Sequence, residues 1–367
     1  MKVLFLGSQN IFGQIHSGGA QCSKRNYDLI YSLIGSENFY TGIVFPGNSN
    51  HSHIRYFERA TTNIESLISS FCLCRLYKPK EEKKILSFIE FVDPDVLFLD
   101  TPLFGKILKK INPRIKTILF TQNVEIEYAK HRLKSQGLKL LPAYVATRYN
   151  EYIAIKYADR LTVLNKRDSD LIKKIYNRCS DYLLPISFQD VFNPEQVKRK
   201  KAKKIIFIGS NFPPNYDGIE WFIDNVMVEL SDFQLLVIGK DFEKEASKLE
   251  RNNVSIVGTV QSLEEYYYHY SMVVMPIRYG DGMKVKTAEA MMYGMTIFAT
   301  DEALEGYDVN GVSGIYRCNT AQEFISSIKN HYSNTDEVKY NKSVREVFKK
   351  NYDADNQVEI MKKILSE

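Results

Sequence analysis

The feature that most constrains this chain is a regular alternation of short apolar runs with stretches long enough to form a helix. A first set of β-branched, apolar runs lies at 3–7, 41–46, 96–100, 117–122 and 161–164. A second set follows at 204–209, 233–239, 254–258, 272–276, 296–299 and 314–316. Such alternation is typical of βαβ units around a parallel sheet. The sequence therefore predicts an α/β protein in which each set forms one doubly wound sheet.

Two domains are expected because 367 residues exceed the usual size of a single hydrophobic core. We place an N-terminal domain at 1–187 and a C-terminal domain at 204–345. The segment 188–203 contains a basic run without an apolar face, so we interpret it as a solvated linker. Residues 346–367 carry apolar side chains at near-helical spacing, which predicts a last helix that packs back toward the N-terminal domain.

The composition narrows the class of protein. Hydrophobic residues make up 44% and charged residues 25% of the chain, as in a globular protein with cores in both domains. No apolar run approaches the roughly twenty residues that a membrane-spanning helix needs. The five cysteines are an odd number without metal-ligand spacing, which favours a reducing cytoplasm and no metal site. The basic run at 198–204 has no aromatic platform beside it, so no nucleic-acid partner is expected.

The most informative segment is 278–289, where a predicted strand ends near 276 and a helix is predicted to begin near Met283. Ligands of open α/β sheets bind outside the carboxyl ends of the strands, and a helix N-terminus presents free N–H groups to an anion. Gly280 and Gly282 would let the backbone approach a ligand closely. The segment therefore predicts a phosphate site.

The basic residues of this segment fit the same interpretation. Arg278, Lys284 and Lys286 would neutralise a diphosphate and stabilise it as it leaves. Asp281 and Glu289 are eight positions apart, which is about 12 Å along a helix. That separation argues against a glycoside hydrolase, whose two carboxyl groups lie about 5 to 9.5 Å apart. On spacing alone, a surface ion pair between Lys286 and Glu289, with glycines that only turn the chain, is an equal alternative.

This segment resembles the donor-site signature of GT-B glycosyltransferases, specifically the retaining family 4 type known as glycosyl transferases group 1. The shared pattern is a carboxylate at Asp281, seven further residues, then Glu289-Ala290-Met291 and Gly294. The resemblance implies two Rossmann-like domains that face each other across a cleft. It also implies that the N-terminal domain binds an acceptor and the C-terminal domain a nucleotide sugar.

The resemblance also implies roles for individual residues. Glu289 would bind the nucleotide ribose, and Lys286 would face the diphosphate. Asp281 would contact the transferred sugar together with the backbone at Gly282 and Met283. Asp stands where the family more often has Glu, so this contact is one methylene shorter and the identity of the sugar is less determined.

Further segments resemble other parts of the family's donor and acceptor sites. Gly209 and Asn211 follow the first strand of the second set and would lie near the donor phosphates. Gly18 and Gly19 resemble the loop opposite the donor, although a simple turn explains them equally well. Glu125 follows the fourth strand, where it would act as a base toward the acceptor. The resemblance requires no metal and no cofactor.

The predicted function is transfer of a hexose from a UDP- or GDP-linked donor to a glycan or lipid-linked acceptor, with retention of configuration. The resemblance places this reaction in the synthesis of a bacterial-type surface polysaccharide or glycoprotein glycan. The basic, amphipathic stretch 130–148 favours a peripheral position on the inner face of the plasma membrane, with an ordinary solvated helix as the alternative. A catalytically silent GT-B partner subunit and a nucleotide-sugar epimerase of the same fold remain alternatives.

Overall fold

The computed structural model describes residues 1–13, 18–49, 51–280, 282–335 and 339–366. The chain divides into two units, of which the first is built from two separate segments. Unit 1 comprises Met1–Pro185 and Ala354–Glu367, and unit 2 comprises Ile186–Asp353. The segment after residue 353 therefore belongs to the same unit as the N-terminal strands.

Unit 1 is built on a seven-stranded parallel sheet in the order β3-β2-β1-β4-β5-β6-β7. Its strands are β1 (Val3–Gly7), β2 (Phe39–Val44), β3 (Ile54–Phe57), β4 (Val96–Leu99), β5 (Lys116–Thr121), β6 (Arg160–Val163) and β7 (Tyr182–Leu183). Every residue of β1 and β4 is buried, as expected of central parallel strands with both faces covered. The strand order changes direction between β1 and β4, which makes this pair the switch point of the sheet.

Helices join and cover the strands of unit 1. They are α1 (Gly18–Ile34), α2 (Asn63–Phe71), α3 (Glu81–Val92), α4 (Gly105–Leu108), α5 (Glu125–Gln136), α6 (Leu141–Tyr157) and α7 (Lys166–Tyr176). The aromatic rings of Phe5, Phe98 and Phe120 stack from strand to strand, with centroid distances of 5.8 and 6.4 Å. These rings tie the three central strands into one core.

Unit 2 repeats the architecture with a six-stranded parallel sheet in the order β10-β9-β8-β11-β12-β13. Its strands are β8 (Lys204–Ile208), β9 (Gln234–Ile238), β10 (Val254–Gly258), β11 (Met272–Met275), β12 (Thr296–Ala299) and β13 (Ile315–Arg317). Its helices are α8 (Pro213–Asn225), α9 (Ala246–Leu249), α10 (Glu264–His269), α11 (Val285–Met292), α12 (Ala321–Asn334) and α13 (Lys342–Asn351). The switch point lies between β8 and β11.

The last helix, α14 (Ala354–Ser366), returns to unit 1 and packs against α1. The Lys116 ammonium, at the start of β5, donates to the carbonyl of Leu365 at 3.1 Å. A cation at a helix C-terminus interacts favourably with the exposed carbonyls there. The two segments of unit 1 are thus joined by packing and by a charge-assisted hydrogen bond.

The prediction of two doubly wound parallel sheets is confirmed. Each predicted strand is present within two residues of its expected ends, whereas β3 and β7 were not predicted. Both are edge strands, and β7 has only two residues, so neither has the long apolar run that marks a buried strand. Among the helices in the described ranges, none combines the length and the apolarity needed to cross a bilayer.

The segment that we interpreted as a solvated linker instead contributes buried side chains to unit 2. Arg199 is only 4% exposed, and its guanidinium donates to the carbonyls of Tyr267 and Tyr293 at 2.7 Å and of Gly294 at 3.0 Å. Asp190 forms a two-pronged pair with Arg345, with distances of 3.0 and 2.6 Å. The charge pattern predicted solvation, but carbonyls at the end of α11 provide partners that a sequence pattern does not reveal.

Replacing Arg199 should destabilise unit 2 strongly. Arg199→Met leaves several buried carbonyls without a donor, and we expect the free energy of unfolding to fall by about 3 kcal/mol. The exposed neighbour in the same basic run provides the matched control, so Lys200→Met should change stability by less than about 0.5 kcal/mol. Urea unfolding of both variants measures the difference, and equal midpoints would contradict the structural role of Arg199.

Candidate functional site

The switch point of the unit 2 sheet gathers most of the residues predicted to bind a donor. Because β8 and β11 are neighbours whose chains continue in opposite directions along the sheet, the loops after them leave a crevice at their carboxyl ends. Gly209 and Asn211 follow β8, and the segment 276–284 connects β11 with α11. The predicted site therefore combines two loops and the first turn of α11.

Gly209 allows a close approach of side chains to the backbone. A Cβ atom at this position would lie 2.7 Å from the Lys286 ammonium and 2.9 Å from the Asn215 side-chain nitrogen. Its carbonyl also lies so near Gly239 that a Cβ atom on Gly239 would be 1.8 Å from the oxygen. Gly239 must therefore lack a side chain because the clash is with backbone, whereas a side chain at Gly209 would displace Lys286 and Asn215 from their present positions.

Lys286 is the central cation of the site. Its ammonium donates to Oδ1 of Asn215 at 2.7 Å and lies 4.6 Å from the centre of the Phe207 ring. Burial and the like charge of Lys284 lower the pKa of Lys286 to about 7, against an opposing influence of Glu289. Lys286 is partly buried and donates to a neutral amide. This arrangement differs from the exposed ion pair with Glu289, which the sequence spacing alone allowed. An anion placed here would stabilise the charged ammonium.

The N-terminus of α11 supplies backbone donors beside Lys286. The helix begins at Val285, two residues later than predicted, with Lys284 as its N-cap. Among the described residues no side chain caps this end, and the first turn of α11 has no acidic residue. Unsatisfied N–H groups and the positive end of the helix dipole make such a terminus an anion site. The left-handed φ values of Gly280 (+146°) and Gly282 (+66°) shape the loop that leads to it.

Lys284 is held by neighbouring groups in the same loop. Its ammonium donates to the carbonyl of Gly282 at 2.8 Å and to Glu302 at 2.7 Å. The hydroxyl of Tyr307 in turn donates to the carbonyl of Lys284 at 2.8 Å. Lys284 thus fixes the loop before α11 and adds positive potential near Lys286, while Glu302 offsets part of its charge.

Glu289 lies one helical turn beyond Lys286 and is partly buried. The hydroxyl of Tyr267 is 3.4 Å from its Oε2, and the Tyr267 ring stacks on Tyr293 with a centroid distance of 4.5 Å. Burial, reinforced by the charge of Glu289, raises the pKa of Tyr267 well above its usual range. Tyr267 is therefore a neutral donor that orients this carboxylate.

The remaining predicted donor-site residues of unit 2 differ in their surroundings. Met283 is buried, whereas Arg278 is exposed and lies over the Trp221 ring at 5.4 Å. The side-chain amide of Asn211 donates to the Asp241 carbonyl at 3.4 Å. Asp281 lies outside the described residues.

The predicted site residues of the first domain lie in unit 1. Gly18 and Gly19 open α1, and Glu125 opens α5. Gly19 and Glu125 both line a cavity of about 380 Å³ near the switch point of that sheet. Gln122 lines the same cavity, and its side-chain amide donates to the Gly19 carbonyl at 3.2 Å. The structure therefore groups the predicted residues into two sites, one in each unit.

A buried carboxylate positions Glu125. The backbone N–H groups of Glu125 and Ile126 donate to the two oxygens of Glu151 at 2.6 and 3.0 Å. The Tyr176 hydroxyl donates to the same carboxylate at 2.6 Å. Burial raises the pKa of Glu151 to about 7, and these three donors oppose the shift. Glu151 caps α5 from the middle of α6, an arrangement that local sequence cannot reveal.

Metal-binding clusters were also considered. In the part of the chain that the structure describes, no group of three or more histidine, cysteine, aspartate or glutamate side chains is arranged to hold a metal ion. The expectation that the protein needs neither metal nor cofactor stays a prediction.

Comparison with known proteins identifies a related family over part of the chain. Residues 202–334 match the model of the family described as glycosyl transferases group 1. This range contains every predicted donor-site residue of unit 2. No curated protein sequence matches the chain.

Solved structures show the fold of the whole chain. Sucrose-phosphate synthase from Thermosynechococcus elongatus superposes with a TM-score of 0.73 at 13% identity, over 100% of this chain and 98% of that one. Anabaena HepE in complex with UDP superposes with a TM-score of 0.69 at 14% identity, over 100% of both chains. WaaG, described as a glycosyltransferase of lipopolysaccharide biosynthesis, gives 0.60 at 14% identity, over 97% of this chain and 95% of that one. The fold is GT-B. Together with the family match, it supports a glycosyltransferase.

Sequence reasoning missed the partners of the predicted residues in unit 2. Lys286 is held by Asn215 in the first turn of α8, and Lys284 is held by Glu302 in the loop after β12. Glu289 is contacted by Tyr267 in α10. These partners are distant in sequence, so local spacing gives no signal for them.

The pKa of Lys286 provides a direct test of the site. With ε-¹³C-labelled lysine, one signal of the ligand-free protein should titrate near pH 7, and this signal should be missing in Lys286→Met. Inorganic pyrophosphate should raise that pKa because its negative charge favours the charged ammonium. Its affinity should then decrease as the pH rises above 7, where binding requires uptake of a proton. A titration that pyrophosphate leaves unchanged would contradict an anion site at Lys286.

Proposed function

We propose that this protein transfers a hexose from a UDP- or GDP-linked donor to a glycan or lipid-linked acceptor, with retention of anomeric configuration. The observation that carries the proposal is the partly buried Lys286 ammonium between the loop after β8 and the N-terminus of α11. The match of residues 202–334 to glycosyl transferases group 1 supports sugar transfer. HepE, which has the same fold, has been solved with UDP and with UDP-glucose, which favours a uridine nucleotide.

The proposed chemistry requires stabilisation of a leaving diphosphate. The bond between the anomeric carbon and the β-phosphate oxygen breaks, a new bond forms to the acceptor oxygen, and the acceptor hydroxyl loses its proton. Negative charge grows on the nucleoside diphosphate as it leaves. Lys286, Lys284 and the N–H groups of α11 would stabilise this charge without a divalent metal. A diphosphate at this position would also keep Lys286 protonated.

The roles of the other residues follow the family resemblance. Glu289 would bind the ribose hydroxyls, and the backbone at Gly282 and Met283 would contact the transferred sugar together with Asp281. Arg278 would add positive charge at the rim of the site. In unit 1, Glu125 would accept the proton of the acceptor hydroxyl. The proposed reaction would belong to the synthesis of a bacterial-type surface polysaccharide or glycoprotein glycan, and the fold shared with WaaG, a glycosyltransferase involved in lipopolysaccharide biosynthesis, supports this proposal.

Two substitutions test the donor site. Lys286→Met should lower kcat/KM for sugar-nucleotide turnover by about 10²-fold or more, because it removes a preorganised cation from the leaving group. Glu289→Gln should lower kcat/KM by about tenfold to a hundredfold, because a charged hydrogen bond to the ribose is lost. Release of nucleoside diphosphate from UDP- and GDP-hexoses, with and without acceptors, is the measurement. Lys329→Met, an exposed lysine on α12, is the control.

The same assay separates the alternatives. Binding of sugar nucleotides without any turnover would indicate a silent GT-B partner subunit. Interconversion of free sugar nucleotides in the absence of acceptor would indicate an epimerase. Wild-type turnover in both site variants would contradict the assigned site, and the anomeric coupling constant of the product tests retention.

We further propose that the protein works at the inner, cytoplasmic face of the plasma membrane. Exposed apolar side chains of α2 recur at i, i+3, i+4 and i+7, which places Ile64, Leu67, Ile68 and Phe71 on one face of the helix. Helix α2 packs on α6, whose first turns expose Leu141 and Val145. The stretch 130–148 adds exposed Leu138, Lys134, Lys139 and Arg148. An apolar face beside basic residues suits an anionic bilayer surface.

Vesicle binding tests this location. Wild-type protein should sediment with vesicles that contain anionic phospholipid, and the double variant Ile68→Ser, Phe71→Ser should bind at least about tenfold more weakly. Both substitutions lie on the exposed face of α2, so the fold should stay intact. An unchanged melting temperature of the double variant is the control for this. Equal binding of both proteins would show that α2 does not touch the bilayer.

A further inference from the structure

Three arginines from separate segments line one cavity in unit 1. Arg59 follows β3, Arg75 precedes α3, and Arg132 lies within α5. An isolated β-bridge between Arg59 and Tyr77 brings the first two segments together. The cavity has a volume of about 380 Å³, at the small end of the range for ligand sites. It lies beside the switch point of the sheet, where ligands of such sheets usually bind.

The guanidinium of Arg75 is close enough to those of Arg59 and Arg132 to be repelled by both. Burial, Arg132 and Arg59 all lower the pKa of Arg75, while Glu125 opposes them. Nε of Arg75 donates to the neutral hydroxyl of Thr147 at 3.1 Å. Within the described ranges, none of the three arginines has a carboxylate within ion-pair distance. Like charges gathered without ion-pair partners are costly, and a bound anion would compensate them.

The carboxylates of the cavity do not balance these charges. Asp100 is buried and accepts hydrogen bonds from the Ser23 hydroxyl and, at 2.7 Å, from the Asn26 amide. Its oxygens are thus used within a network that joins β4 to α1. Glu125 is the other acidic residue among the described residues of the lining, and its backbone is fixed by Glu151. These described residues supply three cationic groups and two carboxylates, so their formal charge is positive.

We propose that this cavity binds a phosphate or diphosphate group of the acceptor through Arg59, Arg75 and Arg132. The planar fork of a guanidinium matches two phosphate oxygens, and several such groups can surround one phosphate. Gln122 and Asn123 offer amides to the hydroxyls of the attached sugar, and Glu125 lies in the same cavity. This inference rests on the proposed function, and it names the acceptor class. The phosphate belongs either to a lipid-linked diphosphate or to a soluble sugar phosphate.

Paired acceptors and arginine variants test the proposal in the full chain. The acceptors are a hexose 1-phosphate, the same hexose linked through diphosphate to a ten-carbon isoprenyl chain, and its uncharged octyl glycoside. Arg75→Gln and Arg132→Gln should each raise KM for the phosphorylated acceptors at least tenfold and leave KM for the donor unchanged. Arg75→Lys should recover only part of the loss. Arg114→Gln, exposed before β5, is the matched control.

The outcomes are distinguishable. Preference for the isoprenyl diphosphate identifies a lipid-linked acceptor, and preference for the hexose 1-phosphate identifies a soluble one. Efficient use of the uncharged glycoside, or a rise in donor KM in the arginine variants, would overturn the proposal. Calorimetric titration with inorganic pyrophosphate covers the case in which no sugar nucleotide is turned over. The titration is made in the Lys286→Met background, which removes the central cation of the donor site. Binding that the added Arg75→Gln abolishes supports the cavity even if the transferase function fails, and binding that the added Arg75→Gln leaves intact overturns it.

Discussion

The donor site depends on the way in which α11 is fixed at both of its ends. At the C-terminal end, Arg199 and Arg345 donate to the carbonyls of Met292, Tyr293 and Gly294. At the other end, the hydroxyl of Thr287 donates to the Ala303 carbonyl at 2.8 Å. Cations at a helix C-terminus stabilise the helix dipole. The free N–H groups at the opposite terminus are thereby held in one place, where they can face an anion.

The same arrangement explains why Lys286 departs from ordinary lysine behaviour. Burial of the Lys286 side chain and the like charge of Lys284 both disfavour the charged ammonium and lower its pKa. Without a ligand, the donor site around Lys286 and Lys284 thus carries excess positive charge. The arginine cavity of unit 1 shows the same imbalance on a second surface. In both units the unbalanced charge lies near a sheet switch point, which agrees with ligands that carry phosphate.

Much of the fold could be predicted because parallel strands are apolar on both faces and leave clear runs in the sequence, as in β1, β4 and β11. The edge strands β3 and β7 leave no such signal. The donor segment was identifiable because its glycines and lysines are close in sequence. Its partners were not, since Asn215 contacts it from helix α8 and Glu302 from a distant loop. Arg199 shows the limit of charge patterns most clearly, because it looks solvated in sequence and is buried in the fold.

The return of α14 to unit 1 has a consequence for how the chain folds during synthesis. Ribosomes deliver the chain from its N-terminus, and domains generally fold as units while synthesis continues. The surface of α1 that α14 covers cannot be covered until all of unit 2 has emerged. Unit 2, which is continuous in sequence, can therefore finish folding first. The nascent unit 1 must meanwhile keep an apolar helix face from associating with other chains.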